Sequence, residues 1–424
     1  MFHSFPTHIS PDGRNFLDAQ GQPFFWLGDT AWSLLTRYTP EEAKIYLENR
    51  ARRGFTVIQC VVAWFEGSQK DMKGITANSA GEFPWFEGDP AQPNPRFFTQ
   101  VDALLAYAEQ LGLTLAVLPT WGNYVTDEML FTPENAQTYG RWLGERYRNA
   151  PNLVWINGGD CLPHDFESVF DALGEGLREG DNGKHLITFH PCHLHSSSQY
   201  FNNRAWLDFH LIQVWTDWHK VYPSVLADAL TPPRRPVVVG EGAYENGPEY
   251  PRGPITPLVV RRQAWWAFMA GGYYTYGQNH IWRASSNWLD MLDTTGAVQM
   301  GVFRQTVELV PWWERIPDQS IIEEGVGDGE TLNAAIRAPD GRWVMLYLSS
   351  RTHVLVRLEK LCASRAHASW INPATGEQRD AGVYETYTKP GFRQVRTTHF
   401  QWFSTPQFWE DAILLLESMD EPTL

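Results

Sequence analysis

The chain has 424 residues, of which 43% are hydrophobic, and no stretch approaches the roughly 18 consecutive apolar residues of a membrane span. The formal net charge of −15 argues against nucleic acid as a partner, because phosphate binding requires a basic surface. The four cysteines are scattered without a C-x-x-C pair, and the first residues lack the basic and apolar segments of a signal peptide. We therefore expect a cytoplasmic protein without a disulfide framework.

Aromatic residues make up 14% of the chain and include 20 tryptophans. Tryptophan and tyrosine suit sugars, because the flat ring covers the C–H face of a sugar while the N–H or O–H group bonds a hydroxyl. Core packing alone rarely requires so many tryptophans. The composition therefore favours a carbohydrate ligand.

Strand and helix patterns alternate from residue 24 to about residue 310. The first helix has a clear start, because Thr39, Pro40 and Glu42 have the pattern of a capping box with proline at the first helical position. Gly54 ends this helix. Further helices are predicted at 101–112, 133–149, 169–180 and about 257–270. The predicted strands, in chain order, are 23–29, 55–64, 113–121, 152–157, 185–190, 208–215, 236–242 and 271–277.

Eight apolar strands separated by helices predict a parallel (β/α)8 TIM barrel over residues 1–317. A doubly wound open sheet is the alternative, but no G-x-G-x-x-G motif follows the first strand. Beyond this region the helical pattern nearly disappears, and short alternating apolar runs are separated by turn residues. Residues 318–424 are therefore predicted to form a small antiparallel β-sandwich.

Acidic residues follow four of the predicted strands, namely Asp29, Glu66, Asp160 and Glu241. Catalytic groups of a (β/α)8 barrel lie at the carboxyl ends of its strands, so acids after strands four and seven can face each other. Glycoside hydrolysis requires such a pair. Asp160 follows Gly158 and Gly159, and Glu241 lies between two glycines, which would let the backbone turn sharply and approach a ligand closely. The alternative is that each acid caps a helix or pairs with an arginine.

Two other chemistries are considered. His190, His193 and His195 follow strand five and could bind zinc, but metal-dependent barrel hydrolases usually place a His-x-His pair after strand one. Cys161 follows Asp160 and suggests a cysteine nucleophile, but the sequence assigns no histidine base to it. Six aromatic residues near predicted strand ends are candidate sugar platforms: Trp64, Trp121, Tyr124, Trp215, Tyr276 and Trp282.

Seven segments between about residue 5 and residue 310 form a specific set when taken together, namely FFWLGDTAW, YLENRARRGFTVIQ, NLVWINGGD, SSSQYF, WLDFHLIQ, VVVGEGAYE and TYGQNHIW. They resemble the apiosidase-like glycoside hydrolase family. The segments WINPATGE and DAILLLE resemble the β domain that follows the barrel in this family, which is named for collagen binding. A domain that stabilises the barrel is the simpler account of this region.

The resemblance implies a (β/α)8 barrel that removes sugars from plant-type glycosides by a retaining, exo-acting mechanism without a cofactor or metal. It assigns the acid/base to Asp160 of the GGD motif and the nucleophile to Glu241 of the GE motif, the same residues that barrel position selects. The expected partner is a carbohydrate, not nucleic acid or a membrane. The predicted substrate-binding residues are Asp29, Trp32, Glu66, Trp121, Tyr124, His190, Gln213, Trp215, Tyr244, Asn279, His280 and Trp282.

Two alternatives to this function remain open. A non-catalytic carbohydrate-binding barrel would keep its affinity for sugar after loss of both acids. A metal-dependent barrel hydrolase would lose activity on chelation.

Overall fold

The structure is a computed structural model that describes residues 4–66, 69–247, 255–386 and 400–419. The helices are α1 Pro40–Arg52, α2 Pro95–Gln110, α3 Asn123–Thr126, α4 Pro133–Tyr147, α5 Glu167–Asp181, α6 Ser198–Phe201, α7 Val221–Leu230, α8 Pro257–Met269, α9 Asn279–Trp282 and α10 Thr295–Val307. The strands up to residue 280 are β1 His8–Ile9, β2 Phe16–Leu17, β3 Pro23–Phe24, β4 Leu27–Thr30, β5 Val57–Ala63, β6 Thr114–Thr120, β7 Leu153–Cys161, β8 Ile187–Pro191, β9 His195–Ser196, β10 His210–Gln213, β11 Val237–Glu241 and β12 Tyr273–Gly277.

Eight of these strands form a nearly closed parallel barrel in the order β8-β7-β6-β5-β4-β12-β11-β10, and β9 adds an antiparallel pair to β10. Between β8 and β10 the ring is completed by single hydrogen bonds. The Asp208 amide donates to the Ile187 carbonyl at 2.8 Å, and the Thr188 hydroxyl donates to the Phe209 carbonyl at 2.6 Å. The predicted (β/α)8 fold is confirmed.

The local signals in the sequence correspond to observed contacts. Thr39 caps α1, since its hydroxyl accepts the Glu42 amide at 3.3 Å while the Glu42 carboxylate accepts the Thr39 amide at 2.9 Å. The barrel strands read as apolar runs because both faces of a parallel sheet are covered. The predictions missed α7, α10 and the start of α2, where Asn94 caps the helix before Pro95. They also missed the three-stranded sheet of β1, β2 and β3 that precedes the barrel.

The C-terminal region consists of two antiparallel sheets. Its strands are β13 Ile316–Pro317, β14 Ile322–Glu324, β15 Ala334–Arg337, β16 Trp343–Leu348, β17 His353–Arg357, β18 Arg365–Ile371, β19 Gln378–Glu385, β20 Phe400–Ser404 and β21 Ala412–Ser418. One sheet has the order β13-β15-β16-β21-β18-β19 and the other β14-β17-β20. Residues 387–399 and 420–424 of the predicted domain lie outside the described residues. Apolar side chains such as Val344, Val354 and Phe403 fill the space between the sheets.

The larger sheet also packs against the barrel, because side chains alternate between its two faces. In β16, Val344 and Leu346 face the sandwich interior, whereas Met345 and Tyr347 belong to the hydrophobic core of the barrel. The Tyr347 ring stacks on Trp265 of α8 with 5.7 Å between centroids. The two regions therefore share one apolar interface.

A buried ion pair crosses this interface. Arg261 of α8 donates to both carboxylate oxygens of Asp411, at 2.9 Å and 2.7 Å, and the Tyr347 hydroxyl donates to the same carboxylate at 3.0 Å. Both charged side chains are about 1% exposed. Removal of Asp411 would leave the buried Arg261 charge with the exposed Glu410, 3.4 Å away, as its remaining ion-pair partner among the described residues. Among the described residues, no helix combines the length and apolar composition that crossing a membrane requires.

We predict that Asp411→Ala lowers the free energy of unfolding by about 3–5 kcal/mol, because the buried Arg261 guanidinium loses the carboxylate that accepts two of its hydrogen bonds. Glu377→Ala is the matched control in the same domain, since it removes an exposed ion pair with Arg379 and should cost less than about 1 kcal/mol. Urea unfolding followed by fluorescence measures both. Equal losses in the two variants would contradict a structural role for the buried pair.

Candidate active site

Asp160 leaves the regular ladder at the carboxyl end of β7. Gly158 pairs with His190 of β8, but the next pair is Cys161 with Pro191, so Gly159 and Asp160 form an irregularity between them. Asp160 has a φ of 49°, which is unusual for a residue other than glycine. The irregularity leaves the Asp160 side chain exposed at the mouth of the barrel.

The backbone conformation and close packing of the fold require the two glycines before Asp160. Both have positive φ, 82° for Gly158 and 118° for Gly159, which confirms the predicted sharp turn. A Cβ atom at Gly158 would lie 2.6 Å from the His190 carbonyl oxygen, and one at Gly159 would lie 2.8 Å from the Trp121 ring. The predicted close approach is therefore to Trp121 and His190 rather than to a ligand.

The glycines around Glu241 have a different role from the one predicted. Neither Gly240 nor Gly242 has a positive φ. A Cβ at Gly240 would lie 2.5 Å from the Leu211 side chain, and one at Gly242 would lie 2.4 Å from the amide oxygen of Gln263. Their small size makes room for neighbouring side chains of the barrel.

His190 lies between the two predicted catalytic acids. Its Nδ1 atom accepts the backbone N–H of Asp160 at 3.2 Å, so the proton of the neutral ring lies on Nε2. Nε2 is 3.1 Å from a carboxylate oxygen of Glu241, at an angle outside the range of an ideal hydrogen bond. The ring is fully buried and packs against Trp32 and Trp121, with 5.6 Å between centroids in each case.

Glu241 ends β11 and is 8% exposed. Burial raises the pKa of its carboxyl above the ordinary value, and the charge of nearby Asp160 raises this pKa further. His190 and a hydrogen bond from Tyr244 lower the same pKa. The Tyr244 hydroxyl in turn accepts the indole N–H of Trp32 at 3.1 Å. The ionisation of Glu241 is thus set by opposing neighbours.

A cavity of about 300 Å³ opens above these residues, where the barrel strands end. It is lined by Trp32, Trp64, Phe65, Trp121, Asp160, Cys192, His193, Gln213, Trp215, Glu241, Tyr244, Trp282 and Arg283. The aromatic side chains contact each other, with ring centroids 5.1 Å apart for Trp32 and Trp121 and 4.8 Å for Trp64 and Trp121. Two carboxyl groups therefore face an aromatic chamber.

Eight residues from the predicted site line this cavity: Asp160, Glu241, Trp32, Trp121, Gln213, Trp215, Tyr244 and Trp282. The amide oxygen of Gln213 is buried and has no hydrogen-bond partner in the part of the chain that the structure describes. His190 does not line the cavity and acts on it through Glu241 and Asp160.

Asp29 is not in the cavity. Its carboxylate is fully buried, forms an ion pair with Arg50 and accepts the Tyr46 hydroxyl at 2.7 Å, so it faces α1 rather than the barrel mouth. Burial raises the pKa of this carboxyl, although Arg50 opposes the effect. A strand-end position does not set the direction of a side chain, since successive residues point to opposite faces. The alternative interpretation, in which a strand-end acid pairs with an arginine, applies to Asp29.

The remaining predicted contacts also lie outside the cavity lining. Glu66 is 3.8 Å from Arg37, and the Tyr124 hydroxyl donates to the carbonyls of Trp64 and Gly74 at 3.1 Å each. Asn279 and His280 begin the short helix α9 and are not part of the cavity lining. The platform candidate Tyr276 donates its hydroxyl to Glu245 at 2.5 Å in the barrel core.

The predicted site lacks five residues that line the cavity: Trp64, Phe65, Cys192, His193 and Arg283. Trp64 was considered as a platform because it follows strand two. The Arg283 guanidinium lies over the Trp282 ring, 4.4 Å from its centroid. Its position immediately after a predicted strand-end aromatic is a signal that could have identified it.

The three histidines considered for zinc have separate contacts. His190 faces Glu241, His193 lies 2.9 Å from Asp217, and His195 lies 2.9 Å from the amide oxygen of Gln199. Within the described residues, no group of three histidine, cysteine or acidic side chains is arranged to hold a metal ion. The side-chain arrangement therefore does not favour the histidine cluster.

Cys161 has the wrong environment for a nucleophile. Burial raises the pKa of its thiol, and the neighbouring Asp160 charge raises it further. The thiolate is the reactive form of cysteine, so these surroundings make the residue unreactive.

Comparison with known families identifies the barrel. The model of the apiosidase-like catalytic domain matches residues 10–314. The chain belongs to the apiosidase-like family. A second model, for a "Putative collagen-binding domain of a collagenase", matches residues 316–417. No curated protein matches the chain.

Solved structures of glycoside hydrolases are similar to this chain. A glycoside hydrolase family 5 protein from Bacteroides vulgatus ATCC 8482 has 25% identity and a TM-score of 0.86, over 97% of this chain and 93% of that one. A second glycoside hydrolase has 25% identity and a TM-score of 0.85, over 98% of both chains. A family 27 β-L-arabinopyranosidase from Geobacillus stearothermophilus shares only the fold, with 11% identity and a TM-score of 0.57 over 94% and 97%. This apiosidase-like chain is a glycoside hydrolase.

We predict that two substitutions move the pKa of Glu241 in opposite directions. His190→Gln should raise it, because the neighbour that lowers it is lost, and Asp160→Asn should lower it, because a nearby negative charge is removed. The measurement is a pH titration of ¹³C-glutamate-labelled protein by NMR, with Glu241→Gln to assign the signal. Asp217→Asn, at the same mouth, is the control and should have the smaller effect. Shifts of the same sign in both variants would contradict the arrangement.

Proposed function

We propose that the chain is a retaining, exo-acting glycoside hydrolase that removes terminal sugars from small plant-derived oligosaccharides or glycosides. The observation that carries this proposal is that Asp160 and Glu241 line the same small aromatic cavity. Hydrolysis with retention requires two carboxyl groups, one as the acid/base and one as the nucleophile. The family membership and the glycoside hydrolase neighbours support the same reaction class.

Asp160 is the proposed acid/base. Its side chain is exposed at the cavity mouth, where the leaving group of a bound glycoside would depart. In the first step it donates a proton to the glycosidic oxygen as the bond to the anomeric carbon breaks. In the second step it removes a proton from the water that attacks the same carbon.

Glu241 is the proposed nucleophile. Its carboxylate attacks the anomeric carbon, forms a glycosyl-enzyme and leaves again when water attacks. The Nε2 atom of His190 beside this carboxylate favours the ionised form that both attack and departure require. Tyr244 acts in the same direction.

Exo-action is supported by the dimensions and walls of the cavity. Its volume of about 300 Å³ is at the lower end of the range of roughly 300–1,000 Å³ for ligand pockets. Indole rings on its walls suit the C–H faces of one terminal sugar. The buried, unpartnered amide oxygen of Gln213 can accept a hydrogen bond from a sugar hydroxyl.

The cellular location stays a prediction. All four cysteines are free, with Cys60 and Cys161 buried, which is consistent with a reducing compartment. A cytoplasmic enzyme of this kind would act on small glycosides that enter the cell.

We predict that Glu241→Ala abolishes turnover of every glycoside that the wild type cleaves, whereas Asp160→Ala depends on the leaving group. With sugar leaving groups, Asp160→Ala should reduce kcat/KM by roughly 10²–10⁴-fold, because protonation is then needed. Aryl glycosides with acidic phenols should lose much less. The measurement is a screen of aryl glycosides and plant oligosaccharides with wild type and both variants. His193→Ala, at the cavity rim, is a control that leaves the leaving-group dependence unchanged.

The proposed roles also determine how azide reacts with the variants. With Asp160→Ala, azide should intercept the glycosyl-enzyme and give a glycosyl azide of retained configuration. With Glu241→Ala, azide should attack from the vacated face and give the opposite configuration. Proton NMR distinguishes the two products. Release of an inverted sugar by the wild type would contradict the retaining mechanism, and sugar binding without turnover would favour the carbohydrate-binding alternative.

We predict that an oligosaccharide labelled at its reducing end loses one sugar at a time from the other end, because the cavity accommodates a terminal unit. Chromatography of early time points tests this. A ladder of internal fragments at the earliest times would indicate endo-action instead.

A further inference from the structure

A second cavity of about 460 Å³ lies at the opposite end of the barrel from the acids. Its walls come from residues that precede β11 and β12, from the end of α7, from the segment between β1 and β2, and from the chain that enters β13. Catalytic groups of (β/α)8 barrels lie at the carboxyl ends of the strands, whereas this cavity lies at the amino ends. It is therefore separate from the proposed catalytic site.

The lining of this cavity is strongly cationic, although the chain has a net charge of −15. Four arginines line it, and the only acid in the lining is Asp12. The arginines are Arg14, Arg234, Arg235 and Arg315. This concentration of guanidinium groups attracts anions.

Two of the four arginines are already satisfied by the protein. Arg14 donates to Asp12 at 2.6 Å. Arg315 is buried and donates to backbone carbonyls of Phe268, Gly271 and Gly272 at 3.2, 3.0 and 2.9 Å. These two side chains form the floor of the cavity and tie the barrel to the chain that enters β13.

Arg234 and Arg235 have guanidinium N–H groups that the protein does not fully satisfy. Within the described ranges, the exposed Arg234 side chain makes no hydrogen bond or ion pair. The Nε atom of Arg235 is buried without a partner, and one terminal nitrogen donates to the Asn202 carbonyl at 3.3 Å. The acid that acts on it, Asp208, is already held in an ion pair by Arg178. The exposed Arg234 guanidinium is therefore available to an anion, and the charge of Arg235 adds to the attraction.

The rest of the wall is apolar and includes an indole. Trp313 is 39% exposed and lines the cavity with Leu226 and Leu230. A ligand that fills this space therefore combines an anionic group with a body that can cover a flat ring. A guanidinium group without a protein partner, such as that of Arg234, matches the oxygens of a phosphate well.

We propose that this cavity binds a small phosphate monoester of a sugar, with the phosphate on Arg234 and the sugar ring on Trp313. The site goes beyond the proposed hydrolysis and does not depend on it. A lining with four arginines and one acid favours a phosphate dianion over a single carboxylate.

Isothermal titration with glucose 6-phosphate, inorganic phosphate, glucuronate and glucose, at one ionic strength, tests the proposal. Glucose 6-phosphate should bind saturably, more tightly than phosphate or glucuronate, and glucose should not bind. Arg234→Ala/Arg235→Ala should weaken binding by at least about tenfold, because charge-assisted hydrogen bonds are lost. Arg52→Ala/Arg53→Ala is the matched control, since this adjacent pair already contacts Glu48 and Asp293.

Each other outcome decides against a part of the proposal. Binding that survives in the Arg234/Arg235 variant, or falls equally in the control, would overturn the site. Equal affinity for phosphate and glucose 6-phosphate would overturn the sugar contact, which Trp313→Ala tests directly. Unchanged thermal unfolding without ligand, and unchanged turnover of an aryl glycoside, show that each variant is folded. Titration measures binding directly, so its result stands whether or not the hydrolase proposal holds.

Discussion

The imidazole of His190 is the element on which the arrangement of the two carboxyl groups depends. One nitrogen accepts the amide of Asp160, which directs the other nitrogen and its proton to Glu241. The ring is buried between Trp32 and Trp121 and cannot turn to serve either acid separately. A single side chain thus holds the backbone of one acid and lowers the pKa of the other. His190 of β8 therefore connects Asp160 of β7 with Glu241 of β11.

The backbone at these strand ends is irregular where the site needs it. In the barrel, register shifts occur between β7 and β8 and between β10 and β11, the strands that carry Asp160 and Glu241 or their neighbours. Asp160 has a positive φ at the first shift, and Trp215 has one two residues beyond the end of β10. Each such residue costs of order 1–3 kcal/mol. The amide of Asp160 recovers part of this cost through His190. The regular ladders elsewhere in the barrel provide the rigid frame.

The barrel, and the position of Asp160 and Glu241 at its mouth, could be predicted because hydrophobic periodicity indicates strands and the ends of parallel strands form the mouth. The direction of each side chain could not. Asp29 has the same strand-end position as Asp160, but its side chain points to Arg50. Nothing in the local sequence shows which face of the strand this side chain takes. The sequence also did not show that the sandwich packs on α8. The apolar residues of β16 are compatible with a sheet that is covered on one face or on both faces. Long-range partners such as Arg261 and Asp411 are 150 positions apart.

The proposed roles explain how a buried carboxylate can be both ionised and reactive. Burial weakens the hydration of Glu241, which favours attack on carbon but also raises its pKa. His190 and Tyr244 oppose the rise, and the charge of Asp160 adds to it. While Asp160 holds the proton that it will donate, that repulsion is absent and Glu241 ionises more easily. When Asp160 transfers the proton, the charge of Glu241 is consumed in the new bond. In the first step, the two carboxyl groups therefore avoid being charged together, so their proximity does not oppose the reaction.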